Sequence, residues 1–194
     1  MCGSGTKRPG NKQGILREGY TVPQIHVMIK TASGLCNMRC QYCFYADEMA
    51  KRSQASYGIM SIETLDHVMQ EIFRFAEEAC TIAFQGGEPT LAGLDFYRQC
   101  IRLEKKYNTK NVAVSYALQT NGYALDEEWF SFFAENHFLI GLSIDGIKAA
   151  HDAYRKDASG NDTYFRILET AQGLRQAGVD FNVLTVVNGR TAPK

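Results

Sequence analysis

Strand-like and helix-like patterns alternate along this chain from Gln24 to Val187, and that order restricts the fold more than any single residue does. Strand-like runs occupy Gln24–Thr31, Thr81–Gln85, Asn111–Leu118, Phe138–Ile144 and Asp180–Val187. Ser61 is placed to cap a helix in which Ile62, Leu65, Val68, Met69, Ile72, Phe73 and Ala76 recur at helical spacing. A second helix is predicted over Leu94–Tyr107, and a third behind Asp126 through Trp129, Phe130 and Phe133. A fourth carries Phe165, Leu168, Ala171 and Leu174, with Gly178 at its C-terminal cap. Strand, helix, strand in repetition implies parallel strands joined by right-handed crossovers. Several strands read as nearly continuous apolar runs, which predicts a sheet covered on both faces. In such folds functional residues belong at the C-terminal ends of the strands.

Chemistry-bearing residues fall at those ends. Cys36, Cys40 and Cys43 follow the first strand in the stretch CNMRCQYC, behind the flexible Ser33-Gly34. Three thiolates on one short loop suit an iron–sulfur cube, whose irons take cysteine ligands one apiece. A four-iron cube held by three cysteines leaves one iron open for chemistry, as catalytic zinc keeps one open position. A zinc module is the alternative. It normally needs four ligands, commonly as two separated pairs, and the loop offers three with no nearby His. Cys80 and Cys100 stand alone, Cys80 in an apolar setting that suits an inert buried thiol, and Cys2 lies in the polar start of the chain. A disulfide framework does not fit a chain of this size without a secretory signal.

With 194 residues there is enough chain for one core, and 45% apolar content is that of an ordinary globular protein. A formal net charge of zero gives no electrostatic reason to expect nucleic acid or an anionic membrane as partner. No apolar run reaches the length of a membrane span. The start, MCGSGTKRPGNKQG, lacks the apolar stretch of a signal peptide, so residues 1–23 are expected to be a polar extension and the location cytoplasmic.

Gly86-Gly87-Glu88-Pro89 ends the second strand. Its glycines permit close approach of another group and positive φ, although the same four residues would also make a plain turn. The carboxylate of Glu88 is expected near the mouth of the site. CNMRCQYC followed by GGEP one strand–helix unit later resembles the radical S-adenosylmethionine (SAM) enzymes. CNMRCQYCFY, SYGIM, AFQGGEPTLAGL, LQTNGY, FLIGLSIDG and HDAYRKDASGNDTY are together similar to the anaerobic sulfatase-maturating enzymes, from about Val27 to Val187.

That resemblance implies a partial (β/α)6 TIM-like barrel over residues 24–194. Cys36, Cys40 and Cys43 would hold a [4Fe–4S] cluster whose open iron chelates the methionine part of SAM. The backbone at Tyr42 would meet the adenine. Gly87, supported by Gly86 and Glu88, would bind the methionine amino group, Ser143 would contact SAM, and Arg155 would reach its carboxylate or ribose. Tyr45 and Gln85 would face a peptide substrate. Asn121 and Asp145 stand at the rim, where either also suits a turn. The implied reaction splits SAM into methionine and a 5′-deoxyadenosyl radical, which takes hydrogen from Cβ of a sulfatase cysteine or serine on the way to Cα-formylglycine. Reduced flavodoxin or ferredoxin would supply the electron, since the cluster must work at the low end of its potential range. A peptide modifier forming thioether crosslinks is the nearest relative of that reading.

The family barrel has six units, and five strands are found here. The family's proton-accepting aspartate and its cysteine-rich C-terminal domain lie beyond strand five, so no catalytic residue is assigned within this chain. The expectation is therefore of a SAM-binding front half, with strands one and five as edges, marginal stability and no complete turnover.

Overall fold

The computed structural model describes residues 24–189. Five strands, β1 (Ile25–Ile29), β2 (Ala79–Phe84), β3 (Ala113–Thr120), β4 (Leu139–Ser143) and β5 (Phe181–Leu184), form one sheet in the order β1-β2-β3-β4-β5. Every neighbouring pair is parallel. The helices are α1 (Phe44–Lys51), α2 (Ile62–Phe75), α3 (Leu94–Tyr107), α4 (Glu127–Glu135), α5 (Lys148–Tyr154) and α6 (Tyr164–Gln176). Residues 1–23, Cys2 and the expected polar extension among them, lie outside the described chain, as do residues 190–194.

Four of the helices are those the periodicity predicts, and their caps work as expected. The Ser61 hydroxyl accepts the Thr64 N–H, and the Asp126 carboxylate accepts those of Glu128 and Trp129. Gly178 sits one residue past the cap residue Ala177 with φ +71°. The Val179 N–H reaches the Leu174 carbonyl and the Gly178 N–H reaches that of Arg175, the paired bonds of a Schellman ending.

One face of the sheet holds the core. Cys80, Ile82 and Phe84 of β2, Tyr116 and Leu118 of β3, and Ile140 and Leu142 of β4 are buried with the apolar sides of α2, α3, α4 and α6. Phe84 meets Tyr97 edge-on at 5.0 Å, and Tyr116 stacks on Phe138 at 4.9 Å. Burial alternates strictly along β2, so the expectation of two covered faces fails. The opposite face carries small side chains, Ala83, Ala117 and Gly141 among them, that are only half-buried. It borders a hollow rather than a second layer.

Boundaries moved where side chains compete with the ladder. β3 starts two residues later than expected because Asn108 brackets the turn, bonding both the N–H and the carbonyl of Val112, while Asn111 adopts φ +56°. β2 begins earlier, at Ala79, and β1 stops at Ile29. Two short helices and a single 3-10 turn at Pro89–Ala92 are additions to the expected order.

Candidate active site

The cysteine loop is fixed from several sides. Its Leu35 N–H returns to the Ala32 carbonyl, Arg39 N–H bonds the Lys156 carbonyl, and Gln41 N–H bonds that of Tyr154. α1 starts directly after Cys43, whose carbonyl accepts the Asp47 N–H. On the other side the GGEP turn presses against the loop. The Glu88 N–H donates to the Leu35 carbonyl at 2.7 Å. Gly87 has φ +57°, and a Cβ there would lie 2.2 Å from that same carbonyl oxygen. Only glycine permits so close a crossing of two backbones. The two motifs are one interlocked unit.

Glu88 borders the mouth, as its sequence position suggests, but its carboxylate is buried there; the residue is 1% exposed. Oε1 accepts from the Thr90 N–H, the Thr90 hydroxyl and the Thr120 hydroxyl, and Oε2 accepts the Asn121 N–H at 2.7 Å. Burial pushes its pKa upward and these bonds oppose the shift. All four partners are donors, which is the environment of a carboxylate. Glu88 thus ties the end of β2 to the end of β3.

A second network orders the far wall. The Tyr42 hydroxyl donates to Asp145 Oδ2 and accepts from Arg155 Nη1 at 3.1 Å. Asp145 Oδ1 accepts the Val186 N–H at 3.0 Å. The Asp145 N–H points at His151 Nδ1, 3.2 Å away, so Nε2 carries the ring proton and donates to the Thr163 hydroxyl at 3.0 Å. That hydroxyl donates to the Arg155 carbonyl. Burial first, and then the nearby Arg155 charge, pull His151 down to about 4, so it is a neutral spacer. The loop that follows β4 is thereby fastened to Arg155.

Between the walls lies a hollow of about 280 Å³. Cys36, Cys40, Cys43, Tyr42, Tyr45, Gln85, Gly86, Gly87, Glu88, Ser143 and Arg155, the residues singled out from the sequence, all border it. Asn121 borders it as well, whereas Asp145 stands behind Tyr42. Gln119 is an addition: it donates to the Ser143 hydroxyl at 3.0 Å and borders both this hollow and a smaller one of about 210 Å³ on the open face of the sheet. A groove of about 640 Å³ between α4 and α6 is larger but remote from the cysteines.

Against this geometry, a family model described as the radical SAM superfamily matches residues 31–192. The chain belongs to the radical SAM superfamily. Within it, the chain is 47% identical to the cysteine-type anaerobic sulfatase-maturating enzyme of Clostridium novyi, over 87% of this chain and 45% of that protein. It is 33% identical to the serine-type enzyme of Bacteroides thetaiotaomicron, over 84% of this chain and 40% of the other. Among solved structures it superposes on native anSMEcpe with bound AdoMet and Cp18Cys peptide at a TM-score of 0.81 and 43% identity, covering 87% of this chain and 45% of that one. The chain spans less than half the length of the curated relatives it matches.

The five-stranded parallel sheet is the α/β, partial TIM-like arrangement of this radical SAM superfamily. The residues present suit the group the superfamily implies. Among the described residues, no three His, Cys, Asp or Glu side chains close on one point, as a single metal ion requires. Thiols spaced along a loop match a cluster that takes one sulfur per iron. Burial pushes the Cys36 thiol up to about 11, over the opposing Met38 N–H bond, and raises Cys40 as well. Arg155 Nε is a buried donor without a partner, at the wall of a glycine-lined hollow. Such a donor suits an anionic ligand group. Among the described residues, no helix is long and apolar enough to cross a membrane.

Proposed function

We propose that this chain is the SAM-binding part of an anaerobic sulfatase-maturating enzyme, acting in the cytoplasm on a cysteine or serine of a sulfatase polypeptide. The observation that carries this is the interlock of Gly87-Glu88 with Leu35, which sets the three thiols beside an open glycine backbone. A [4Fe–4S] cluster with SAM supplies one-electron cleavage to a carbon radical, and the protein supplies binding, orientation and exclusion.

Cys36, Cys40 and Cys43 hold the cluster in this reading. The backbone at Gly86 and Gly87 receives the amino end of SAM, and Arg155 Nε meets its carboxylate or ribose. Ser143, oriented by Gln119, contacts SAM from the end of β4. Tyr45, packed under the Lys30 ammonium at 5.2 Å, and Gln85 face the peptide. Positioning decides the product, because a radical displaced by about 1 Å meets the wrong atom. The electron comes from a reduced flavodoxin or ferredoxin.

Anaerobic reconstitution with iron and sulfide tests the reading. The reduced protein is expected to turn SAM into methionine and 5′-deoxyadenosine, detected by chromatography. Iron uptake without SAM cleavage, or zinc uptake in place of iron, overturns it. Joined to the remaining length of its relatives and given a cysteine-type sulfatase peptide, the protein is expected to leave an aldehyde in the mass spectrum. A thioether crosslink instead would reassign the substrate chemistry.

A further inference from the structure

Asn121 is held on several sides and reaches further than a turn residue needs to. Its N–H bonds Glu88 Oε2, and its Oδ1 accepts the Tyr123 N–H at 2.9 Å. Its Nδ2 donates to Asn37 Oδ1 at 2.8 Å and lies 3.5 Å from Cys36 Sγ, 85 residues away in the chain. An amide nitrogen carries two hydrogens, so both bonds form together. The same sulfur accepts the Met38 N–H at 3.4 Å. Among the described residues, no other side-chain N–H reaches a sulfur of the three loop cysteines.

We propose that Asn121 is a positioning residue that tunes the cluster, its amide hydrogen raising the reduction potential by bonding the Cys36 sulfur. The inference rests on the cluster assignment made under the proposed function. A hydrogen bond to a ligand sulfur draws off electron density and favours the state carrying the extra electron, and such bonds are among the levers that set cluster potentials. The step concerned is the gain of one electron from the reductant, with no bond made or broken in the protein. Glu88 and Tyr123 supply the rigidity: with backbone and Oδ1 both engaged, the amide has one direction left to point.

The test uses the reconstituted chain and reads bound iron and the midpoint potential, by dithionite titration followed by electron paramagnetic resonance. Asn121→Ala removes the donor, and its midpoint is expected to move to more negative potential at unchanged iron content. Asn121→Asp keeps the acceptor for Tyr123 and adds a negative charge, so it should move further in the same direction. Asn37→Ala leaves the Cys36 bond in place and should stay at the wild-type potential. Asn121→Ala at the wild-type potential with full iron overturns the proposal. So does a folded Asn121→Ala that holds less iron, because the amide then serves assembly instead. Wild-type protein that takes up no iron fails the functional reading itself, a result the variants cannot mimic.

Discussion

The two faces of the sheet are built from different chemistry. The helix-covered face is aromatic and dry, with Phe84, Tyr97, Phe133 and Phe138 nearly fully buried. The open face mixes small and polar residues with the exposed Met28, Leu139 and Leu184, and its mouth is ordered by hydrogen bonds to Glu88, Asp145 and His151. The contrast separates two tasks. Burial of large apolar groups supplies stability on one side. On the other, short side chains leave room for ligands while buried polar groups fix loop geometry.

Substitutions divide along the same line. The largest effect is on activity: Cys40→Ala should abolish iron binding and SAM cleavage, yet change unfolding free energy in urea by less than about 1 kcal/mol. A large loss of stability there would break the contrast. On the packed face, Phe138→Ala should cost about 3–5 kcal/mol in the same urea titration, as deletion of a buried aromatic does.

Glu88→Gln sharpens the comparison, because it alters a buried residue at the mouth. The amide NH₂ would face one of the four donors now satisfied by the carboxylate, costing about 1–3 kcal/mol in chemical denaturation. Iron loading should fall with it, since the Glu88 N–H holds the Leu35 carbonyl of the cysteine loop. Full stability in this variant would show that Glu88 is not the tie between β2 and β3.

The smallest effect is a pH dependence. His151 ionises at about 4 in the fold and at about 6.5 when unfolded, so the unfolded chain binds more protons between those values. The fold therefore loses stability as pH falls from about 6.5 toward 4, by about 2 kcal/mol between pH 7 and pH 5. Comparison of wild type with His151→Gln at pH 7 and pH 5 checks the sign. Equal slopes for the two proteins would remove His151 from the account.

Apolar periodicity made the packed face legible from sequence. It placed α2, α3, α4 and α6, and the alternation of elements gave the parallel order of strands. α1 and α5 escaped because neither shows an apolar stripe. The first has no buried residue, and the buried residues of the second are His151 and Asp152, held by hydrogen bonds. At the mouth, the residues came from motif resemblance, and the structure brings them around one hollow. What the sequence could not reveal were the long-range polar partners. The burial of the Glu88 carboxylate, the reach of Asn121 to Cys36 and the link between Gln119 and Ser143 depend on strand ends meeting in space.

The cysteine loop takes its shape from the chain around it. Its peptide groups are fastened to Lys156, Tyr154 and Glu88 by the polypeptide alone. Ordering such a loop costs roughly 1–2 kcal/mol per residue, and that cost is met by backbone contacts made from distant parts of the chain. The placement of the three thiols is therefore a property of the whole domain rather than of eight consecutive residues.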